Sequence, residues 1–124
     1  MLLELAEYNR QSKKESTDYL WRIKSELREK IAEVAAENKV FPSVVMRYII
    51  NWACDKMDSD DNFREHMLEI SIKRNDLKGD NKRYLYSISK NTNDKLQETN
   101  KKYRIHNINF FVAESVKFFF EEHE

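Results

Sequence analysis

Three histidines, His66, His106 and His123, and one cysteine, Cys54, are the side chains from which a metal site or nucleophilic centre would be built. They are scattered. No pair has the spacing of zinc ligands, and Cys54 has no histidine close to it in sequence and falls on or beside an apolar helix face. A single glycine cannot supply a phosphate-cradling loop or the first turn of a βαβ nucleotide fold, both of which need positive φ and close backbone approach. No enzymatic activity, cofactor, metal or small-molecule substrate is therefore expected. The chemistry that remains is that of charge and hydrogen bonding. Between Lys78 and Arg104 stand eight basic residues (Lys78, Lys82, Arg83, Lys90, Lys95, Lys101, Lys102, Arg104) against three acidic ones (Asp80, Asp94, Glu98). Acidic stretches flank this zone: Asp55 to Glu69 on one side and Glu121, Glu122 and Glu124 on the other. Such segregation serves a polyanion partner or simply makes solvated faces.

The elements that position these groups belong to a small chain. It has 124 residues, 22 basic and 22 acidic side chains, and 40% hydrophobic residues, enough for one domain or two very small units. The balanced charge argues against an indiscriminate polyanion binder, and a charged fraction of 35% suits a largely helical protein. Cys54 alone cannot close an intrachain disulfide, and MLLELAEYNR is too short in its apolar run and too acidic for a secretory signal. FFVAESVKFFF, interrupted by Glu114 and Lys117, falls short of the ~20 apolar residues that span a bilayer. A cytoplasmic location without membrane association is expected.

An internal repeat organises the chain. YLWRIKSELREKI, from Tyr19 to Ile31, aligns without gaps on YLYSISKNTNDKL, from Tyr84 to Leu96. VVMRYIINWA from Val44 then aligns on FVAESVKFFF from Phe111 if the second copy has two extra residues in its central turn. Each copy reads as strand, helix, turn, helix. Tyr84, Tyr86 and Ile88 alternate with Leu85, Ser87 and Ser89, the period of a strand, and Tyr19, Trp21 and Ile23 share that phase. Yet Tyr19, Ile23, Leu27, Ile31 and Ala35 also recur every four residues, so the first copy alone is compatible with one long helix and an all-helical bundle. The first helix of copy one carries Leu27, Ile31, Val34 and Ala35. Copy two offers only Leu96 and Tyr103, with Thr92, Thr99 and Asn100. The second helix starts at Pro42 or Ser43 in copy one, and at Asn107 or Asn109 in copy two. Between the copies, an Asp cluster, then Phe63, Met67 and Ile70 at helical spacing, then Gly79, predict a linker helix and a break.

A short strand and two helices cannot bury their own apolar faces, so each copy needs a partner, and the chain contains one. WRIKSEL followed by a helix, a turn and SVVMRYIINW, and again YSISKNT followed by NINFFVAESVKFFF, resemble the ribbon-helix-helix (MetJ/Arc-type) family of DNA-binding proteins. Two copies in one chain are similar to the tandem arrangement of TraY-type conjugation proteins. The resemblance implies a mainly α fold with a short two-stranded antiparallel ribbon, a tandem ribbon-helix-helix pseudo-dimer. Its parts are an N-terminal arm (1–17), a first unit (18–56), an acidic linker with a helix (57–81) and a second unit (82–124). Tyr19 to Lys24 is expected to pair antiparallel with Tyr84 to Ser89.

The resemblance further implies that the ribbon enters the major groove of double-stranded DNA and reads base edges, as a small transcriptional regulator or a plasmid or phage DNA-processing accessory protein. Tyr19, Trp21, Ile23, Tyr84, Tyr86 and Ile88 then face the core. Asp18, Leu20 and Arg22 of one strand and Arg83, Leu85 and Ser87 of the other face outward. Arg22 and Arg83 suit guanine O6 and N7, Ser87 suits several bases, and Leu20 and Leu85 suit thymine methyl groups. Ser43 and Asn107 or Asn109 match the start of the second helix, where backbone N–H groups grip a phosphate in that family. Lys13, Lys14, Lys78 and Lys82 precede the strands and suit further phosphate contacts. The alternative is a helical protein-interaction module on the same fold. The Phe-rich last helix (Phe110, Phe111, Phe118 to Phe120) and Leu2, Leu3 and Leu5 of the N-terminal arm are two surfaces expected to support self-association.

Overall fold

A computed structural model of the protein describes residues 16–72, 83–105 and 107–123. Among these residues the chain runs β1 (Thr17–Trp21), α1 (Ser25–Glu37), α2 (Pro42–Ser59), α3 (Asp61–Ile72), β2 (Tyr84–Ile88), α4 (Lys90–Tyr103) and α5 (Ile108–His123). The architecture is mainly helical with one short antiparallel sheet; three helices follow β1 and two follow β2. The fourfold spacing through Tyr19 and Ile23 does not produce a continuous helix. Tyr and Trp on every second residue find a facing strand with the same pattern, and the cross-strand pairing wins over the helical phase.

The register sets Thr17 opposite Ile88, Asp18 opposite Ser87, Tyr19 opposite Tyr86, Leu20 opposite Leu85 and Trp21 opposite Tyr84. The ladder thus starts two residues earlier in β1 than the sequence predicts and stops at Trp21 rather than Lys24. The physical reason lies next door: the N–H of Arg22 donates to Asn109 Oδ1 (2.9 Å) and its carbonyl accepts from Asn109 Nδ2 (3.0 Å). The backbone groups that would continue the ribbon are held by a side chain of α5 instead.

Helix α2 is the centre of the fold. Val44, Val45, Met46, Ile49, Ile50, Ala53, Cys54 and Met57 are all buried, which covers most of its circumference. It packs against α1, α3, α4, α5 and β2. Pro42 opens it at a position where the missing N–H costs nothing, and Phe41 precedes it in extended backbone. Asp60 ends α2 and starts α3, its carboxylate accepting the Phe63 N–H at 3.1 Å. Phe63 and Met67 of α3 then enter the core as their helical spacing predicts.

Counted from the left-handed residue that follows each first helix, Lys39 or Arg104, to the start of the second, Pro42 or Ile108, the second turn is one residue longer than the first rather than the two expected. Both first helices close on a non-glycine residue in the left-handed region, Lys39 (φ 56°) and Arg104 (φ 54°). At the first, the Val40 N–H reaches the Ala35 carbonyl; at the second, the Ile105 N–H reaches that of Asn100. The carbonyls at each helix end thus find donors despite the positive φ.

The aromatic surplus of α5 is accommodated inside the chain. Phe110, Phe111, Phe119 and Phe120 are buried, and Phe118 packs its ring edge-on to Phe63 (5.5 Å) and His66 (4.7 Å) of α3. The Phe residues exceed what one face of α5 can bury, and α3 covers the other face. The remaining expected association surface, the leucines of the N-terminal arm, lies outside the described residues. No described helix is long and apolar enough to cross a membrane.

Candidate nucleic-acid interface

The inner face of the ribbon is fixed by rings. Tyr19 and Trp21 stack at 4.7 Å, Trp21 meets Tyr86 at 6.1 Å, and the Arg28 guanidinium of α1 lies 3.6 Å from the centre of the Tyr84 ring. The Tyr19 hydroxyl donates to Asn93 Oδ1 and accepts from Gln97 Nε2, tying β1 to α4. Ile23 and Ile88 are fully buried just beyond, as their phase predicts.

Each end of the ribbon is also anchored from a second helix. Asn109, in the first turn of α5, clamps both backbone groups of Arg22. From α2, Ser43 Oγ accepts the Ser87 N–H (3.0 Å) and Arg47 Nε donates to the Ser87 carbonyl (3.0 Å). Arg47 is buried, and removal from solvent lowers its pKa; its charge is held in place to secure a strand edge. Sequence reasoning assigned Arg47 no role, although a lone arginine inside the apolar run VVMRYIINW is the signal that would have found it.

No described residue covers the centre of the outer face. Leu20 and Leu85, directly opposite each other, are 58% and 59% exposed, and Asp18 and Arg83 are exposed. Ser87 and Arg22 are half-buried. Arg22 follows Trp21 and Arg83 precedes Tyr84, so both arginines flank the same end of the ribbon, while Asp18 and Ser87 pair near the other. From one end to the other the face therefore runs basic, apolar, then acidic and polar. The Arg22 Nε is buried without an acceptor, and neither guanidinium has an ionic partner among the described residues.

The helix starts matched to phosphate binding are engaged within the chain. Ser43 holds β2 as described, Asn109 holds β1, and Asn107 caps α5 by accepting the Phe110 N–H at 3.0 Å. Lys13, Lys14, Lys78 and Lys82 lie outside the described residues. Much of the sequence's charge segregation also resolves internally. Asp55 pairs with Lys95, Asp58 with Lys102 (3.0 Å), and Tyr103 donates its hydroxyl to Asp58, so the acidic end of α2 docks on the basic face of α4. The bonds from Tyr103 and Lys102 hold the Asp58 carboxyl below its ordinary range. Lys101 and Arg104 remain exposed at the end of α4.

Cys54 sits against Thr99 of α4, and burial pushes its thiol up to about 11, away from nucleophilic use. The described histidines are far apart in role: His66 lies 3.4 Å from Glu114, and His123 stacks on Phe119 at 4.2 Å. Among the described residues no group of three or more His, Cys, Asp or Glu is arranged to hold a metal. Comparison of the chain with protein-family models, with curated proteins and with solved structures finds no match.

Proposed function

We propose that the chain is a sequence-selective double-stranded-DNA-binding protein made of two fused ribbon-helix-helix units, β1–α1–α2 and β2–α4–α5, with α3 as the joining helix. Its ribbon enters the major groove, where Arg22 and Arg83 contact guanine O6 and N7, Ser87 bonds a base edge, and Leu20 and Leu85 meet thymine methyl groups. The observation that carries this reading is the outward face of the ribbon. It is uncovered by any described residue at Leu20 and Leu85, stiffened from beneath by stacked rings, and provided at one end with the guanidinium groups of Arg22 and Arg83, which have no ionic partner among the described residues. A rigid two-stranded ribbon of this kind has the width that the major groove admits. Lys13, Lys14, Lys78 and Lys82 are the side chains assigned to the phosphates flanking the ribbon; at the helix starts of Ser43, Asn107 and Asn109, whose side chains are engaged within the chain, the backbone N–H groups take that role.

Selection of bound sequences from random duplex DNA tests the proposal. Enrichment of a short motif with guanines on one side is expected, and binding should weaken steeply with salt. Replacing Lys82 with Ala should weaken all duplexes alike and reduce the salt slope by about one, since a phosphate contact holds no sequence information. A second reading, a protein-interaction module on the same fold that can also self-associate, is favoured by one specific observation: the two exposed leucines stand where polar base-reading residues are usual. Failure to enrich any motif, together with capture of a protein partner that L20A–L85A abolishes, favours that reading.

A further inference from the structure

The centre of the ribbon differs in kind from its ends. Leu20 and Leu85 face each other across the ladder, and side chains so paired stand about 5 Å apart at Cβ, forming one apolar bar. Their exposures of 58% and 59% make them, with Phe41, the large apolar side chains left open among the described residues. Neither leucine can hydrogen-bond. Every base pair presents donors and acceptors in the major groove, and the one apolar group available there is the methyl on pyrimidine C5. An unmethylated cytosine offers the bar no apolar group, only the polar amino edge beside it. A C5-methyl group is a matching surface. The guanidinium groups at one end supply charge complementarity to the duplex and fix which way round the bar lies.

Resting on the DNA-binding reading above, we infer that the Leu20–Leu85 pair is a recogniser of C5-methylated pyrimidines. The ribbon selects duplexes with thymine or 5-methylcytosine beneath its centre, beside the guanines met by Arg22 and Arg83. Thymine and 5-methylcytosine place the same methyl at the same position, so the pair discriminates methyl from no methyl rather than one base from another. Binding to a site with cytosine at the centre therefore rises when that cytosine is methylated.

The test uses the full chain and the duplex enriched from random DNA, followed by fluorescence anisotropy. Each central thymine is replaced by deoxyuridine, which removes only the methyl, and in parallel duplexes by cytosine or 5-methylcytosine. Deoxyuridine should weaken binding about fourfold per methyl lost, and 5-methylcytosine should bind more tightly than cytosine by a similar factor. The L20A–L85A variant, altered only at exposed positions, should bind the thymine duplex about as weakly as the parent chain binds the deoxyuridine one, with the methyl responses gone. Equal binding of thymine and deoxyuridine duplexes, an enriched site without a central thymine, or a methyl response that survives in L20A–L85A overturns the inference while leaving DNA binding intact. Absence of binding to any duplex overturns the DNA-binding reading itself, and the inference with it.

Discussion

Replacing Asn109 with Ala isolates the contact that ends the ribbon and holds Arg22. The side chain makes two hydrogen bonds of good length to one residue, 2.9 Å from the Arg22 N–H and 3.0 Å to its carbonyl, and both are partly buried. A net contribution of about 0.5 to 1.5 kcal/mol for each bond places the loss of stability at roughly 1 to 3 kcal/mol, the upper part applying where water cannot replace the amide. Asn109→Asp separates the two bonds: it keeps an acceptor for the N–H but sets a carboxylate against a carbonyl, so it should recover no more than the acceptor's share. Equilibrium urea unfolding measures the effect as a shift of midpoint at unchanged slope. Hydrogen exchange at the Arg22 amide should accelerate in N109A beyond the global change in stability. A midpoint within about 0.3 kcal/mol of the parent, with Arg22 exchange unaltered, refutes the view that α5 anchors this strand.

Two further outcomes follow from titrating groups. Cys54, whose buried thiol is pushed up to about 11 from an ordinary 9.0, should resist alkylation in the native state at neutral pH and react on unfolding. Because its folded pKa is raised, the folded state holds the proton more tightly, and its contribution is complete below about pH 9 and fades as pH rises towards 11. Cys54→Ala should remove up to about 2 kcal/mol of alkaline destabilisation, read as a smaller difference between unfolding at pH 8 and pH 10.5. Asp58 shifts the other way: the Tyr103 hydroxyl and then Lys102 lower its pKa. Its contribution is present above the unfolded carboxylate value and is lost as pH falls through the lower folded one, so Asp58→Asn should flatten the acid limb of a stability–pH profile.

The sequence made the ribbon legible only through the repeat. Tyr19, Ile23, Leu27 and Ile31 fit a helix as well as a strand, and the alignment of YLWRI on YLYSI broke the tie. The same alignment separates the inward from the outward face at Trp21, Ile23, Tyr86 and Ile88, which are buried, and at Asp18, Leu20, Arg83 and Leu85, which are exposed, while Tyr19, Tyr84, Arg22 and Ser87 are all half-buried. What it could not give was register. That Arg22 and Arg83 share one end depends on where pairing stops, and pairing stops because Asn109, 87 residues along the chain from Arg22, takes its backbone groups. The meeting of Asp55 and Asp58 with Lys95 and Lys102 was hidden for the same reason: opposite charges that look like separate zones in sequence become partners only once α2 and α4 are packed. The Phe residues of α5 looked like a surface because a single helix was weighed without α3. Ser43 and Asn109 looked like caps, as both residue types do at any helix start, and are instead fasteners for the two strands.

The most direct measurement of the central claim compares the parent chain with R22A–R83A on an enriched duplex and on a scrambled one, by anisotropy at fixed salt. Neither arginine has an ionic partner among the described residues, so thermal unfolding should change little. Each lost bidentate guanine contact should cost roughly 1 to 3 kcal/mol of preference for the enriched site, leaving the scrambled duplex far less affected. Equal losses on both duplexes, or unchanged affinity for the enriched one, would contradict base reading by the ribbon.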